Sequence, residues 1–209
     1  MEQYLIYALG FFAQGLFGAR SVVQWYLSER EKKVVSPTLF WIFSLCGSSL
    51  FLIYGLIRQD AVILLGQTIS FYIYVRNLQL KKVWKIIPFF LRSLILFIPP
   101  LIIFLAFRQR IHFELGSDSA LIIVIGIVGQ LMLNCRYLYQ WYFSEKANES
   151  LLPLGFWIIS AVASVMVVVY SIYRHEPVLL VAQSLGILVY IRNIIIYRKD
   201  YPASTAPKS

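Results

Sequence analysis

The sequence contains one segment twice. Residues 14–77 align without a gap to residues 130–193, and 21 of these 64 positions are identical. The motif Gln-Trp-Tyr-x-Ser-Glu occurs at residues 24–29 and again at residues 140–145. Apolar membrane sequences resemble one another easily, but shared glutamine, arginine, tryptophan and asparagine positions indicate descent from one duplicated unit. We therefore expect function to reside at the paired polar positions.

Composition and run length predict the fold class. Hydrophobic residues make up 59% of the chain, charged residues 14%, and the mean hydropathy is +0.71. A bilayer core of about 30 Å needs about 20 apolar residues per helix. The runs are too long and too continuous for the alternating strands of a membrane barrel. The sequence predicts an all-α polytopic membrane protein with seven transmembrane helices, at residues 4–27, 38–58, 61–80, 86–107, 119–143, 154–174 and 177–197.

The cations predict the orientation in the membrane. The net charge is +9, and with the N-terminus outside, ten cations fall on inner segments against four on outer segments. The inner cations are Arg30, Lys32, Lys33, Lys81, Lys82, Lys85, Lys146, Arg198, Lys199 and Lys208; the outer ones are Arg58, Arg108, Arg110 and Arg174. The positive-inside rule then predicts an outer N-terminus and a cytoplasmic C-terminus. The basic balance indicates contact with anionic headgroups and no nucleic-acid partner.

An odd number of helices per repeat requires a linker. After three helices a second copy would enter inverted, so one unpaired helix must return the chain to the outer side. We predict a first three-helix repeat at residues 1–82, a linker transmembrane helix at 83–112, a second repeat at 113–199 and a flexible tail at 200–209. Both repeats then run in the same direction. Pro99 and Pro100 are expected to kink or break the linker helix.

Catalytic and metal-binding constellations are missing from the sequence. His112 and His175, the two histidines, fall in predicted outer loops, and the acids fall in loops or at helix ends. No metal-ligand spacing, phosphate loop or nucleophile beside a base is found, so we expect no cofactor and no catalytic residue. The absence of a mid-membrane carboxylate also disfavours transport coupled to protons or sodium.

Arg20 and Arg136 are the most informative polar residues. They occupy equivalent positions about 12 Å from the predicted inner helix ends. A charge at that depth costs at least ~2.5 kcal/mol. Gln24 and Gln140 follow one helical turn later on the same face. The pair predicts a site for an anion, since guanidinium binds phosphate in a bidentate fork. The alternative is an arginine that bonds to helix carbonyls or reaches the inner interface.

The third helix of each repeat carries a polar stripe. Gln67, Ser70, Tyr74 and Asn77 follow one helical face, as do Gln183, Gly186, Tyr190 and Asn193 in the second copy. Such a stripe faces a cavity or another helix. Arg76 and Arg192 lie closer to the inner interface, where snorkelling also explains them. The predicted substrate-binding set is Arg20, Gln24, Gln67, Tyr74, Arg76, Asn77, Arg136, Gln140, Gln183, Tyr190, Arg192 and Asn193.

These motifs resemble those of the lipid-A-disaccharide synthase N-terminal-like family. The resemblance rests on Gln-Trp-Tyr-x-Ser-Glu, Pro-x-x-Phe-Trp and Tyr-x-Arg-Asn, and it covers both repeats. That family is grouped with the PQ-loop, SWEET and KDEL-receptor proteins, which share a plan of three, one and three helices. The resemblance implies a place in lipid A or lipid-linked sugar metabolism at the bacterial inner membrane. The first helices lack the Pro-Gln pair of PQ-loop proteins and the hinge proline of SWEET transporters.

Three functions remain open. The first is binding or translocation of a phosphate-bearing lipid or lipid-linked sugar. The second is a non-catalytic membrane anchor or scaffold for a lipid A disaccharide synthase-type glycosyltransferase, which would then be a partner. The third is an uncoupled small-sugar transporter. Transfer of sugar by this chain itself is not expected, because the symmetric acids Glu29 and Glu145 lie beside Arg30 and Lys146, where a solvated ion pair is their expected role.

Overall fold

The computed structural model describes residues 2–59, 61–109, 120–173 and 177–200. Within these ranges the chain is helical and contains no strand, which confirms the all-α class. Several residues used in the sequence predictions lie outside the described residues, namely Arg110, His112, Arg174, His175, Lys208 and the tail 201–209.

Each of the seven predicted stretches is a helix. The described helices are α1 (Glu2–Glu31), α2 (Thr38–Ile57), α3 (Ala61–Leu80), α4 (Phe89–Arg108), α5 (Ala120–Ala147), α6 (Leu154–Tyr173) and α7 (Pro177–Asp200), with a 3-10 helix at Val83–Ile86. By length and composition, five described segments could cross a membrane: Tyr4–Glu31, Thr38–Ile57, Phe89–Arg108, Leu154–Tyr173 and Leu180–Asp200. The helical segments therefore have the character expected of a membrane protein.

The turns that end the first helices of the two repeats match each other. Lys32 follows α1 with φ 55° and Asn148 follows α5 with φ 58°, and both residues occupy the left-handed region in which helices commonly end. Pro37 and Pro153 then precede the first residue of the next helix. Proline has no N–H and a fixed φ, so it suits this position. The repeat thus extends to the backbone of the connecting loops.

The described chain divides into two compact units. The first contains α1 up to Arg20, helices α2 to α4 and the loop Asn148–Ser150. In it α2 packs on α3, and α4 packs on both. Gly47 allows α1 and α2 to approach closely, because a Cβ there would lie 2.9 Å from Phe17 Cε1. Pro99 and Pro100 do not break α4, so of the two predicted effects the break does not occur.

The second unit contains Ser21–Pro37 together with α5, α6 and α7. Helix α6 packs on both α5 and α7. Its buried face includes Trp157, Ala163 and Val167, with Leu133 of α5 packed against the last two. Helix α6 thus adjoins both helices that carry the repeated polar residues of this unit.

Candidate functional site

Arg20 is buried in the first unit and bonded to two hydroxyls. Its Nη1 donates to Ser44 Oγ at 2.8 Å and to Tyr74 OH at 3.2 Å. Only 7% of the residue is exposed. The Ser44 hydroxyl in turn donates to the Phe40 carbonyl at 2.5 Å. Residues from α1, α2 and α3 therefore meet at this guanidinium.

Aromatic rings surround the same guanidinium. Its central carbon lies 4.4 Å from the ring centroid of Phe17, 5.3 Å from that of Phe40 and 5.7 Å from that of Tyr74. A cation within about 6 Å of a ring is attracted to its electron-rich face, more strongly where water is excluded. The rings thus offset part of the desolvation of Arg20 and restrict its orientation.

The second unit repeats this arrangement around Arg136. Its Nη1 donates to Ser160 Oγ at 2.9 Å and to Tyr190 OH at 3.1 Å, and Nη2 donates to Tyr137 OH at 3.3 Å. Tyr137, Phe156 and Tyr190 have ring centroids 4.9, 5.2 and 5.4 Å from the guanidinium carbon. Arg136 is again 7% exposed. Two equivalent nests, each a guanidinium held by serine and tyrosine hydroxyls among aromatic rings, are therefore built by one repeated sequence.

The serines of these nests were missing from the predicted site. Ser44 and Ser160 are repeated three residues after Trp41 and Trp157, which was the available signal. Serine is also common where helices pack closely, so the two serines are interpreted from the sequence as packing residues and not as hydrogen-bond partners of the arginines. Each arginine contacts the tyrosine on the third helix of its own repeat, Tyr74 in one and Tyr190 in the other.

Gln24 and Gln140 form hydrogen bonds to the loops that follow α1 and α5. Gln140 Nε2 donates to Ser144 Oγ at 2.7 Å and to the Leu151 carbonyl at 2.8 Å, while the Leu151 N–H donates to Ser144 Oγ at 3.0 Å. In the same way, Gln24 Nε2 donates to the Val35 carbonyl at 3.3 Å, and the Val35 N–H donates to Ser28 Oγ at 3.2 Å. The repeated glutamine and serine thus supply partners to backbone groups that would otherwise lack them.

The second unit joins the end of α1 to α7 by two polar pairs. Gln24 and Asn193 exchange hydrogen bonds in both directions, at 2.7 and 3.1 Å, and both side chains are fully buried. Arg192 Nε and Nη2 donate to the two carboxylate oxygens of Glu29, the second at 2.9 Å. Trp25 Nε1 also donates to Glu29, at 3.1 Å. These pairs connect residues from opposite ends of the chain.

The partner of Glu29 differs from the predicted one. An ion pair with the neighbouring loop cation was expected, but Glu29 pairs with Arg192, and Arg30 lies 3.7 Å from Glu31 instead. The reason is tertiary: α7 brings a guanidinium fork to the carboxylate, and a bidentate contact outcompetes a flexible neighbour on the same helix. Arg192, a predicted ligand-binding residue, is thereby bound to an acid of the chain itself.

The rest of the predicted set is spread over local contacts. Asn77 Oδ1 accepts from Ser150 Oγ at 2.7 Å, and Arg76 Nη1 donates to Gln79 at 3.2 Å. Gln183 Oε1 accepts from Ser164 at 2.7 Å. Ser48 donates to the backbone oxygen of Gln67, and the buried Gln67 Oε1 has no hydrogen-bond partner in the described part of the chain. The stripes therefore serve several contacts, not one continuous lining.

The side chains that commonly bind metals are dispersed. Among the described residues, no group of three or more His, Cys, Asp or Glu side chains lies close enough to hold a metal ion.

Comparison with known proteins identifies the repeated segment. The sequence profile of the lipid A biosynthesis N-terminal domain family matches residues 9–79 and, a second time, residues 125–195. The chain belongs to the lipid A biosynthesis N-terminal domain family. The resemblance drawn from the sequence motifs is confirmed, and the double match coincides with the duplicated unit. No solved structure gives a significant match.

Several curated relatives of this family member are lipid-A-disaccharide synthases of Chlamydia. The protein of Chlamydia abortus is 30% identical, and those of Chlamydia pneumoniae and Chlamydia felis are 28% identical, each over 94% of this chain. The chain spans about a third of the length of these relatives, 34% in each case. The relationship associates the protein with lipid A biosynthesis.

Proposed function

We propose that this member of the lipid A biosynthesis N-terminal domain family binds or translocates a phosphate-bearing lipid or lipid-linked sugar, and that Arg20 and Arg136 contact the phosphate. The observation that supports this proposal is the arginine nest, which occurs once in each unit. Burial of each charge in a membrane helix costs at least ~2.5 kcal/mol. The chain incurs that cost at both equivalent positions. Membership of a lipid A family supports a lipid as the ligand.

The chemistry of the nests supports a phosphate. Serine and tyrosine hydroxyls engage Nη1 of each arginine, and rings flank the guanidinium carbon. A guanidinium whose plane is held in this way is preorganised for a bidentate contact, and it remains protonated in a dry environment. Phosphate oxygens match that fork geometry. Lysine has the same charge without the fork, which makes arginine-to-lysine variants the informative ones.

The test is the lipid that the protein retains on purification. Wild type, an Arg20→Lys, Arg136→Lys double variant and the matched surface control Arg30→Lys are extracted from bacterial membranes and their lipids identified by mass spectrometry. We expect the double variant to retain roughly tenfold less phosphate-bearing lipid, equivalent to about 1.4 kcal/mol. The control should match wild type. Equal retention by a double variant that inserts and unfolds normally would contradict the proposal.

We further propose the topology that the charges and the repeat indicate. All seven helices cross the membrane, two parallel three-helix repeats at 1–82 and 113–199 flank a linker helix at 83–112, and the N-terminus is outside. The SWEET-like and PQ-loop-like plan stays a prediction. With Cys46 and Cys135 replaced by serine, Gln59→Cys should react with an impermeant maleimide in intact cells. Lys33→Cys should react only after permeabilisation. The opposite pattern would invert the topology.

A second candidate is a membrane anchor or scaffold for a glycosyltransferase. The observation that favours it is the alignment of this chain with about a third of each lipid-A-disaccharide synthase. The test is co-expression with the lipid-A-disaccharide synthase of the same bacterium, followed by membrane fractionation. Anchoring predicts that the synthase sediments with membranes only when this chain is present. Recruitment that persists in the Arg20→Lys, Arg136→Lys variant would separate anchoring from lipid binding.

A further inference from the structure

A polar groove lies in the first unit, away from the arginine nests. It has a volume of about 300 Å³ and is lined by Thr38, Leu80, Lys81, Glu149 and Ser150. That volume is at the lower limit of small-molecule sites. The groove can therefore take one small polar group, but it cannot enclose a disaccharide with its acyl chains.

Two hydrogen bonds hold the walls of the groove together. Ser150 Oγ donates to Asn77 Oδ1 at 2.7 Å, which ties the loop Asn148–Ser150 to α3. The Lys81 N–H donates to the Asn77 carbonyl at 3.0 Å, so the same asparagine also positions the lysine. The walls are thus connected through a fully buried residue. Because both walls bond to Asn77, the backbone on either side of the groove is held in place.

One side of the groove is suited to an anion. Lys81 is partly buried there, and no hydrogen bond or salt bridge to its ammonium occurs within residues 2–59, 61–109, 120–173 and 177–200. Burial lowers the pKa of Lys81, and the negative charge of Glu149 opposes that shift. Thr38 is the first residue of α2, so the N-terminal end of a 20-residue helix adjoins the lysine. Helix N-termini and ammonium groups together favour phosphate.

Glu149 also makes the groove suited to a cation. Glu149 lines it with an exposed carboxylate that, among the described residues, forms no salt bridge to Lys81. A purely anionic ligand would be repelled by Glu149, and a purely cationic one by Lys81. The complementary ligand carries both charges on a short group. On the proposed topology the groove opens at the inner headgroup region, where phospholipids present such groups.

We propose that this groove binds a phosphoethanolamine group, with the phosphate at Lys81 and the α2 N-terminus and the primary ammonium at Glu149. The ammonium donates hydrogen bonds to the carboxylate, which a quaternary ammonium cannot do. The site is independent of the arginine proposal, since none of its lining residues belongs to an arginine nest, but its place at the inner headgroups rests on the proposed topology.

Native mass spectrometry of the purified chain tests the site. The protein is offered equal amounts of three phospholipids with identical acyl chains and with ethanolamine, choline or glycerol headgroups. We expect the ethanolamine lipid to bind about fivefold more than either of the others, which corresponds to about 1 kcal/mol. Glu149→Gln should abolish the preference over the glycerol lipid, and Lys81→Gln should lower binding of the ethanolamine lipid. Lys82→Gln, an exposed neighbour, is the matched control.

Equal binding of the three lipids by wild type would overturn the proposal, as would a Lys81→Gln result identical to that of Lys82→Gln. A competition arm separates the sources of the group. Displacement of the lipid by soluble glycerophosphoethanolamine indicates that the headgroup alone suffices. Binding of the lipid without such displacement assigns the site to the membrane lipid. The Arg20→Lys, Arg136→Lys variant should retain the ethanolamine preference even if the arginine proposal fails.

Discussion

A serine hydroxyl completes each arginine nest because it can donate and accept at once. Ser44 Oγ accepts from Arg20 and donates to the Phe40 carbonyl, which fixes the direction of its lone pairs toward the guanidinium. Ser160 does the same between Arg136 and Phe156. The arginine is therefore oriented by a residue that a search for charged or amide groups passes over.

Removal of one such hydroxyl should cost stability. Ser44→Ala deprives the buried Arg20 of an acceptor, and we expect the free energy of unfolding in detergent to fall by about 1–2 kcal/mol. Ser49→Ala is the matched control, since among the described residues the Ser49 hydroxyl donates only to the Leu45 carbonyl of its own helix. If the two variants unfold alike, Ser44 does not support the arginine.

At the scale of elements, the repeated Gln-x-x-x-Ser motif fixes the loop that follows it through side-chain hydrogen bonds to the loop backbone. The glutamine and the serine lie one turn apart near the helix end, and together they bind both polar groups of one backbone residue, Val35 or Leu151. The loop is thereby fixed before the proline that precedes the next helix. The motif therefore has the same structural role in both copies.

Hydrogen exchange of the Leu151 amide should test these loop contacts directly. In Ser144→Ala the Leu151 N–H loses its acceptor, and we expect its hydrogen exchange to accelerate by roughly tenfold, the equivalent of about 1.4 kcal/mol. Ser93→Ala, which removes only a bond to the Phe89 carbonyl on an exposed helix face, should leave Leu151 unchanged. Unaltered exchange in Ser144→Ala would mean that the loop is held by other contacts.

The contact of α1 with α7 should be measurable as a coupling energy. A double-mutant cycle of Glu29→Gln and Arg192→Gln, followed by unfolding, should give a stabilising coupling energy, because the pair is bidentate although partly solvated, with side chains 34% and 43% exposed. The matched cycle is Arg30→Gln with Glu31→Gln, which lie 3.7 Å apart and are more exposed. That cycle should give about zero. Equal coupling energies in the two cycles would show that the ion pair of Glu29 and Arg192 does not stabilise the packing of α7.

At the scale of the whole molecule, we expect the chain to bind its ligand without transforming it. We predict that purified protein, given a sugar nucleotide and a lipid acceptor, forms no glycolipid. Glycosyl transfer requires a positioned base or charge-stabilising centre, and the carboxylate of Glu29 is already committed to Arg192 and Trp25. Trp141 donates to Glu145 at 2.8 Å in the same manner. Product that disappears in Glu29→Gln or Glu145→Gln would make the chain an enzyme.

Local properties of the chain were enough to predict its class and its helices. Length, hydropathy and the spacing of prolines depend only on neighbouring residues, so the helices from α1 to α7 lie where the sequence places them. The duplication at an offset of 116 residues indicated polar positions of which some are in contact, including Arg20 with Tyr74. Sequence periodicity predicts which residues share a helical face, since residues three and four apart are neighbours on the helix surface.

The tertiary structure alone decided which helix each polar face meets. Gln24 shares a face with Arg20 in the sequence, yet its amide bonds to Asn193, 169 residues away, and to the loop beside it. Glu29 pairs with Arg192 across 163 residues and not with the arginine next to it. A hydrogen bond requires two groups within about 3 Å. Periodicity orients one group but leaves the position of the other to the packing of the helices.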